Sequence, residues 1–320
     1  MMKRIGVLTS GGDCSGMNAA IRAVVRTALS QGLEVYGVRQ GFIGLLDRLF
    51  EPMDSRSVSG IVQRAGTILQ TARCEEFKYD RGQEQAVKNI QDAGLDGLVV
   101  IGGNGSMAGA LALANHGIPV VGIPGSIDND LFGTDMSIGT DTALNTIVSM
   151  VDIIRDTASS HDRAFIIEVM GRDSGYLALV SAIASGAEAV IIPELPYDLD
   201  KIANKLFERY KAGKTNSIVI VAEGAASAYT IERKLKNRIG YESRISVLGH
   251  IQRGGVTTVF DRLLASKFGM NAVTGLLEGE SGVMTALQNN RYVFAPLEDV
   301  VTNKKKINQK LLDLAESLSS

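Results

Sequence analysis

The stretch DGLVVIGGNGSMAG, residues 96–109, combines an apolar strand, a glycine turn and the start of a helix. Its run LVVI ends in Gly102, Gly103 and Gly105, with Asn104 between the last two. A strand buried on both faces of a sheet has such a continuous apolar run. At the following helix start, backbone N–H groups point outward, carry partial positive charge, and can be approached closely because glycine has no Cβ. The stretch therefore predicts a parallel sheet with a phosphate-binding turn.

Short apolar runs and longer amphipathic stretches alternate along the whole chain. This alternation predicts an α/β fold with parallel sheets and right-handed crossovers, and argues against an α+β fold with segregated elements. The predicted strands read RIGVLT, LEVYGV, DGLVVI, IPVVGI, AFIIEVM, EAVIIP, SIVIVAE and RISVL. The predicted helices span Met17–Gln31, Gly82–Ala93, Ser106–Asn115, Asp141–Ala158, Ser174–Ser185, Leu199–Lys211 and Thr258–Glu278. A further amphipathic helix, INQKLLDLAESL, is predicted to open at the lysine run 304–306.

Glycine and polar residues follow nearly every predicted strand: TSGGD, GGNGS, PGSIDND, MGRDSG, AEG and LGHIQRGG. In doubly wound sheets, ligands bind beyond the carboxyl ends of the strands. We therefore expect the functional residues to gather along one rim. GGDCSGMN (11–18) has the same form as GGNGSMAG (102–109), which predicts two phosphate-binding turns.

Two familiar nucleotide motifs do not occur in the sequence. There is no P-loop string G-x-x-x-x-G-K-[ST], and Gly103, Gly105 and Gly109 give G-x-G-x-x-x-G, one residue longer than the dinucleotide fingerprint. The next strand ends in GIPGS, without the acid that would bind a ribose. The pattern therefore argues against both P-loop and nicotinamide enzymes.

The composition excludes several other classes of protein. The 320 residues carry a net charge of −2, which provides no basic field for nucleic acid or an anionic membrane. No apolar run approaches the ~18 residues that span a bilayer, and the N-terminus MMKRIGVLTSGGD has no signal-peptide core. Cys14 and Cys74 form neither a disulfide framework nor a metal-ligand spacing. We therefore expect a reduced, cytoplasmic protein that binds neither nucleic acid nor membrane.

The loop PGSIDNDLFGTD, residues 124–135, carries Asp128 and Asp130 after the fourth predicted strand. One carboxylate can accept a proton from a hydroxyl group while the other helps to hold Mg²⁺. The alternative is that the segment merely forms Asx turns. Positive side chains suited to phosphate are predicted at other strand ends. They are Arg73, Arg163, Arg172, Arg244, His250 and Arg253.

Taken together, these motifs resemble the bacterial ATP-dependent 6-phosphofructokinase family of glycolytic kinases. The resemblance runs from KRIGVLTSGGD through GMNAAIR, GGNGS, PGSIDND, IRDTASSH, EVMGR and VLGHIQRGG to DRLLAS, in the same order and spacing. It implies two Rossmann-like, three-layer α/β/α domains with mostly parallel sheets. A nucleotide-binding domain would comprise residues 1–139 and 252–302, and a sugar-phosphate-binding domain residues 140–251 and 303–320. The resemblance also implies a homotetramer with active sites shared between subunits.

The resemblance assigns a role to each matching residue. Asp128 would take the proton from the 1-hydroxyl of fructose 6-phosphate, oriented by Ser126 and Asp130, and Arg73 and Arg172 would stabilise the transferred phosphoryl group. Mg²⁺ would lie at Asp130 and Asn104. The residues expected at ATP are Gly12, Arg73, Cys74, Gly103, Asn104, Gly105 and Ser106. Those expected at the sugar phosphate are Ser126, Ile127, Asp128, Met170, Gly171, Arg172, Glu223, His250, Ile251, Gln252 and Arg253, with Arg163 and Arg244 reaching the 6-phosphate from a neighbouring subunit.

An effector site for ADP or phosphoenolpyruvate is also implied. Arg22 and Arg26 lie four apart on one predicted helix face, where like charges repel unless an anion lies between them. Arg155, Glu188 and Lys214 match further positions of the family's effector site, whereas Ala212 stands where many relatives carry lysine.

One departure concerns the metal. The family's turn reads GGDGS, and this chain reads GGNGS. Asn104 keeps an oxygen acceptor but lacks the charge of the usual aspartate, which predicts weaker metal binding. Pyrophosphate-dependent relatives commonly replace the glycines at 105 and 125, so both glycines here favour ATP. A pyrophosphate-dependent enzyme and a weakly active regulatory paralogue remain as alternatives.

Overall fold

The computed structural model describes residues 2–160, 163–214, 216–240 and 242–318. The chain forms two compact units, one of Met1–Thr142 with Arg253–Lys305 and one of Ala143–Gln252 with Lys306–Ser320. The predicted domain boundaries lie after residues 139, 251 and 302, and the units change after residues 142, 252 and 305. Within the described residues, no helix is both long and apolar enough to cross a membrane.

Strands and helices alternate through most of the chain. The strands are β1 (Arg4–Ser10), β2 (Glu34–Val38), β3 (Phe50–Met53), β4 (Gly97–Gly102), β5 (Val120–Pro124), β6 (Arg163–Val169), β7 (Ala189–Ile191), β8 (Ser217–Ala222), β9 (Glu242–Val247), β10 (Val283–Gln288) and β11 (Arg291–Pro296). The helices are α1 (Met17–Ser30), α2 (Phe42–Leu46), α3 (Asp80–Asp92), α4 (Asn104–Asn115), α5 (Thr140–Ser160), α6 (Tyr176–Ser185), α7 (Leu199–Lys211), α8 (Ala228–Leu235), α9 (Val259–Glu278), α10 (Leu297–Thr302) and α11 (Gln309–Leu318).

The first unit contains a seven-stranded sheet in the order β11-β10-β5-β4-β1-β2-β3. Only its two edge pairs, β2 with β3 and β10 with β11, are antiparallel. The chain leaves β1 toward β2 and leaves β4 toward β5, so the strand order reverses between β1 and β4. Ligands bind at such a reversal in doubly wound sheets. The turns after β1 and β4 therefore flank the most favourable position in this sheet.

Helices cover both faces of the seven-stranded sheet. The helices α1 and α9 pack on each other and against its central strands, and α4 and α10 pack together against the same sheet. One core cluster unites strand residues Leu8 and Val100 with helix residues Met107 and Leu297, all buried. The predicted α/β class with mostly parallel sheets is confirmed.

The second unit contains a four-stranded, fully parallel sheet in the order β7-β8-β6-β9. A core cluster joins Ile166 and Val219 of the sheet to Leu206 of α7 and Ile231 of α8. The helix α6 contacts β7 and β8 and also packs against α11.

One expectation about local structure is wrong, and one hairpin was not predicted. The lysine run 304–306 does not open a helix, because α11 begins only at Gln309 and Lys305 instead donates to the carbonyl of Asp135. The hairpin of β10 and β11 has no counterpart among the predicted strands. Its two-residue turn, Asn289 and Asn290, has φ values of 49° and 63°, as a type I′ turn requires.

The carboxylate of Asp261 in α9 determines where α5 begins. One oxygen accepts the Gly139 N–H at 3.0 Å, and the other accepts the N–H and hydroxyl of Thr142 at 2.8 and 2.6 Å. Burial raises the pKa of this carboxyl, whereas these hydrogen bonds lower it. The contact closes the acidic loop 124–139 at its C-terminal end.

We predict that Asp261→Asn lowers the free energy of unfolding by about 1–3 kcal/mol, because its amide donor would face a buried N–H group. Denaturant unfolding followed by circular dichroism measures this. Asp152→Asn on the exposed side of α5 is the control and should stay within about 0.5 kcal/mol of the parent. Equal unfolding curves for Asp261→Asn and the parent would contradict the anchoring role.

Candidate active site

The two glycine turns of the first unit differ in shape. After β1, six residues from Gly11 to Gly16 form a loop, and both of these glycines have positive φ, 83° and 102°. After β4, the helix α4 begins at Asn104, two residues before the predicted start at Ser106. Asn104 and Gly105 therefore lie in the first helical turn, where N–H groups have no intrahelical acceptor. A Cβ at Gly105 would meet nothing within 4 Å, so this turn is open.

Hydrogen bonds connect the turn after β4 to the acidic loop. Asp130 Oδ2 accepts a hydrogen bond from Asn104 Nδ2 at 2.7 Å, and Asp130 Oδ1 accepts one from Ser126 Oγ at 3.2 Å. Ser126 Oγ in turn accepts the N–H of Asp128 at 3.3 Å. Asp128 is only 6 % exposed. The structure therefore brings together four of the residues predicted for catalysis and metal binding.

Between the two aspartates, Asn129 holds the loop in shape. Its backbone has φ of 51°, and its side chain is buried. Its Nδ2 donates to the Asp135 carbonyl at 3.1 Å, and its Oδ1 accepts the Ser137 N–H at 3.0 Å. Neither partner was predicted, since neither lies at a regular spacing from Asn129.

Other residues predicted for nucleotide binding lie in different surroundings. A Cβ at Gly12 would lie 2.9 Å from the guanidinium of Arg253, which is also 3.8 Å from Asp13. Arg73 is exposed and Cys74 is half-buried. The expectation that Arg73 lies at a strand end is wrong, because the described chain from residue 54 to 96 has no strand.

The donor set near Asp130 fits a hard cation. Among the described residues, no group of three or more His, Cys, Asp and Glu has the arrangement of a metal site. Mg²⁺, however, is commonly held by one or two carboxylates together with substrate phosphates and water. Asp130, the Ser126 hydroxyl and the Asn104 amide oxygen can provide oxygen ligands of this kind.

In the second unit, the turn after β6 is held by side chains from other strand ends. Glu223 Oε1 accepts the N–H groups of Gly171 and Arg172 at 3.3 and 3.0 Å. Gln252 Oε1 accepts the Met170 N–H at 3.1 Å. These contacts stabilise the backbone of Arg172 at φ 51°, a conformation that residues other than glycine rarely adopt.

The predicted residues His250 and Ile251 are exposed in a 3₁₀ turn, Gly249–Arg253, after β9. The turns after β6, β8 and β9 therefore form a set in the second sheet, and those after β1, β4 and β5 form a set in the first. The prediction of one common rim is wrong, because the strands belong to two sheets.

Arg163 and Arg244 lie toward the N-terminal ends of their strands. Arg163 begins β6, and Arg244 lies near the start of β9. Both pair with Glu242, at 3.1 and 2.8 Å. A seven-residue strand is ~20 Å long, so Arg163 is separated by about that distance from the turn at Met170.

The residues predicted for an effector fall into two places. Arg22 and Arg26 both lie on α1, where Arg22 is half-buried and Arg26 is exposed. In the second unit, Arg155 donates to the Ser185 carbonyl at 2.6 Å and lies 4.0 Å from the buried carboxylate of Glu188.

Glu188 also accepts hydrogen bonds from the Ile218 N–H at 2.6 Å and from Arg209 at 3.1 Å. Lys214 is exposed beyond α7. Arg209 was not predicted to take part in this site, and its only sequence signal is its position in the last turn of α7.

These features define a class, an α/β protein whose doubly wound sheet places an open helix start beside a loop with two aspartates, one of which is hydrogen-bonded to that helix start. Residues 4–276 match the family model Phosphofructokinase, so the chain belongs to this family.

Relatives extend the match over the whole chain. ATP-dependent 6-phosphofructokinase of Thermotoga neapolitana is 55 % identical over 99 % of this chain and 100 % of its own length. The enzyme of the same name from Halalkalibacterium halodurans is 53 % identical with the same coverage. Among solved structures, Pichia pastoris phosphofructokinase in the T-state has a TM-score of 0.91 and 36 % identity, covering all of this chain and 37 % of the larger one. A pyrophosphate-dependent phosphofructokinase of Marinobacter aquaeolei, at 22 % identity and a TM-score of 0.83, shares the fold.

Proposed function

We propose that this protein transfers the γ-phosphoryl group of ATP to the 1-hydroxyl of fructose 6-phosphate, giving fructose 1,6-bisphosphate in glycolysis. The observation that carries this proposal is the hydrogen-bonded set of Asn104, Ser126 and Asp130. It joins the open helix start, suited to phosphate groups, to the loop that contains Asp128. The relatives that are 53–55 % identical over their full length bear the same activity in their names.

In this proposal, Asp128 accepts the proton of the attacking hydroxyl. Its N–H bond to Ser126 orients the backbone at the base. The start of α4, with Gly103, Gly105 and Ser106, binds the phosphates, to which the N–H groups of Asn104 and Gly105 donate, and Gly12 and Cys74 complete the nucleotide site. Asp130, Ser126 and Asn104 would hold Mg²⁺, which would neutralise charge on the phosphate oxygens.

Recognition of the sugar phosphate is assigned mainly to the turns after β6, β8 and β9. The turn Met170–Arg172, held by Glu223 and Gln252, presents backbone and guanidinium donors. His250, Ile251, Gln252, Arg253 and Ile127 are proposed to contact the sugar. Arg172 and Arg73 stabilise the transferred phosphoryl group, since guanidinium groups match its oxygens.

ATP is the proposed donor in preference to pyrophosphate. Gly105 leaves open space on its side of the helix start, which a nucleoside requires and a charged side chain would fill. The pyrophosphate-dependent enzymes among the structural neighbours are 21–22 % identical, which supports a common fold alone.

Self-association into a homotetramer is proposed from two observations. Arg163 and Arg244 lie far from the turn at Met170 in their own chain, so they would serve the site of a neighbouring subunit. In addition, α9 exposes an apolar stripe that includes Val259, Leu263 and Met270, which are 71, 60 and 42 % exposed. We also propose that the protein is cytoplasmic. ADP or phosphoenolpyruvate would act at Arg22, Arg26, Arg155, Glu188 and Lys214.

We predict that Asp128→Ser lowers kcat by about 10²–10⁴-fold, because the general base is lost, while ATP and fructose 6-phosphate still bind. Steady-state kinetics and calorimetric binding of each substrate measure the two effects. Asp156→Ser, on the exposed side of α5, should keep parental kcat. Parental turnover in Asp128→Ser would remove the assignment of the base. A parent that binds both substrates but forms no product at any Mg²⁺ concentration would favour the regulatory paralogue.

We predict that Asn104→Asp reduces the Mg²⁺ concentration for half-maximal activity by about 10–100-fold, because a metal-orienting charge is restored. In the metal-free protein, the new carboxylate would repel Asp130, so its thermal midpoint should fall and Mg²⁺ should raise it again. Asn115→Asp, exposed at the other end of α4, is the control. An unchanged metal requirement in Asn104→Asp would refute this account of the substitution.

We predict that coexpressed Asp128→Ser and Arg244→Ala chains recover activity that neither variant has alone at low fructose 6-phosphate. Half of randomly formed pairs are mixed, and one of the two sites in each is intact, which gives about a quarter of the parental rate. Asp128→Ser with Arg172→Ala, two positions proposed to act within one chain, should show no recovery. If the coexpressed chains show only the sum of the activities of the two single variants, active sites shared between subunits are excluded.

A further inference from the structure

Lys305 is a lysine to which no role has been assigned so far. It lies in the segment 303–308 between α10 and α11, at the C-terminal end of the first unit. Its neighbours Lys304 and Lys306 are exposed, whereas Lys305 is half-buried. Ordering and partly burying a lysine costs side-chain entropy and solvation. A favourable contact of the ammonium group must offset that free-energy cost.

The ammonium group of Lys305 contacts the acidic loop. Lys305 Nζ donates to the carbonyl oxygen of Asp135 at 3.0 Å. The same oxygen accepts Asn129 Nδ2 at 3.1 Å. Asn129 lies between the proposed base, Asp128, and the proposed metal ligand, Asp130. One carbonyl therefore joins a residue from the end of the first unit to the centre of the loop.

The rest of this loop is also anchored from outside. The Asp135 N–H donates to the Leu287 carbonyl at 2.7 Å, and its carboxylate accepts the Asn289 N–H at 2.7 Å. These two contacts come from the β10–β11 hairpin. Asp135 is thus held on one side by the hairpin and on the other by Lys305, and Asn129 takes its position from Asp135.

Charge adds to this geometry. Burial lowers the pKa of Lys305 to about 8, while attraction to the carboxylates of Asp135 and Asp130 acts in the opposite direction. A cation at this position favours a loop in which several carboxylates lie close together.

We propose that Lys305 is a positioning residue for phosphoryl transfer, which acts through the Asp135 carbonyl and Asn129 to hold Asp128 and Asp130 in place. It contacts no substrate. The effect on catalysis rests on the proposed function, whereas the contact of Lys305 with Asp135 is independent of that function. Displacement of a reacting group by about 1 Å can cost up to 10²-fold in rate, so a small movement of this loop is sufficient.

Lys305→Met tests the proposal, because methionine keeps much of the side-chain volume and removes the donor and the charge. We expect kcat to fall about 10-fold or more, with KM for ATP and for fructose 6-phosphate within about twofold of the parent. Lys305→Arg should restore most of kcat. Lys304→Met and Lys306→Met, which lose the same charge at exposed positions, should behave as the parent. A kcat for Lys305→Met within twofold of the parent, or an equal loss in either control, would overturn the proposal.

A second measurement separates positioning from general stability. Hydrogen exchange of the backbone amides in residues 126–139 should accelerate in Lys305→Met, whereas exchange in α1 should not change. Uniform acceleration in both segments would mean a merely structural role. If Lys305→Met does not fold, Lys305→Gln serves instead, with the same expected outcomes.

The path through Asn129 has its own test. In an Asn129→Gly background, which permits the positive φ but removes the Nδ2 donor to the shared Asp135 carbonyl, Lys305→Met should lower kcat by about threefold at most, because residues in one hydrogen-bonded network are coupled. A full additional loss would show that Lys305 acts by another route. If the parent does not phosphorylate fructose 6-phosphate at all, the proposed function fails. Hydrogen exchange in residues 126–139 still shows whether Lys305 holds the acidic loop in place.

Discussion

The buried amide of Asn129 determines the shape of the acidic loop, and the candidate site depends on that shape. A side chain with positive φ, almost wholly buried, is stable only when its polar atoms are satisfied. Asn129 achieves this with one donor contact to the Asp135 carbonyl and one acceptor contact to the Ser137 N–H. Asn129 makes both contacts within the loop, while the carboxylate of the flanking Asp130 accepts hydrogen bonds from Asn104 and Ser126. The loop is therefore more than a set of Asx turns.

The second unit uses the same principle with different residues. At the turn after β6, Glu223 and Gln252 take the backbone N–H groups of Met170, Gly171 and Arg172. In each unit, a strand is followed by a turn with positive φ whose backbone groups are satisfied by side chains, from Asn129 within the loop in the first unit and from other strand ends in the second. Such an arrangement costs conformational freedom, but it leaves a rigid set of polar groups at the carboxyl ends of parallel strands, where ligands bind.

Much of this arrangement could be predicted from the sequence, and the reason is local. Apolar runs, glycine turns and helix starts carry a period or a spacing, so β1, β4 and α4 were predictable to within two residues. Contacts between residues distant in the sequence have no such period or spacing. Lys305 and Asp135 are 170 positions apart, and Arg48 meets Asn89 across 41 positions, without a pattern that announces either contact. Arg163 and Arg244 were predicted at strand ends, and the structure places them at the start of β6 and near the start of β9. The β10–β11 hairpin, by contrast, had a visible signal in its Asn-Asn turn.

The asparagine at position 104 has a physical consequence beyond the loss of one charge. An aspartate there would place two carboxylates at the separation now spanned by a 2.7 Å hydrogen bond to Asp130, and only a cation or a proton could hold them together. Two unit charges at 4 Å repel by up to about 4 kcal/mol in an intermediate dielectric. The amide removes that repulsion and replaces it with a donor, so the turn after β4 and the acidic loop are joined without metal. A cation at Asp130, as proposed, would require the Asn104 amide to turn or to release the carboxylate. In the proposed function, position 104 therefore sets a competition between this internal hydrogen bond and Mg²⁺, so the amide that joins the two segments without metal also raises the Mg²⁺ concentration expected for catalysis.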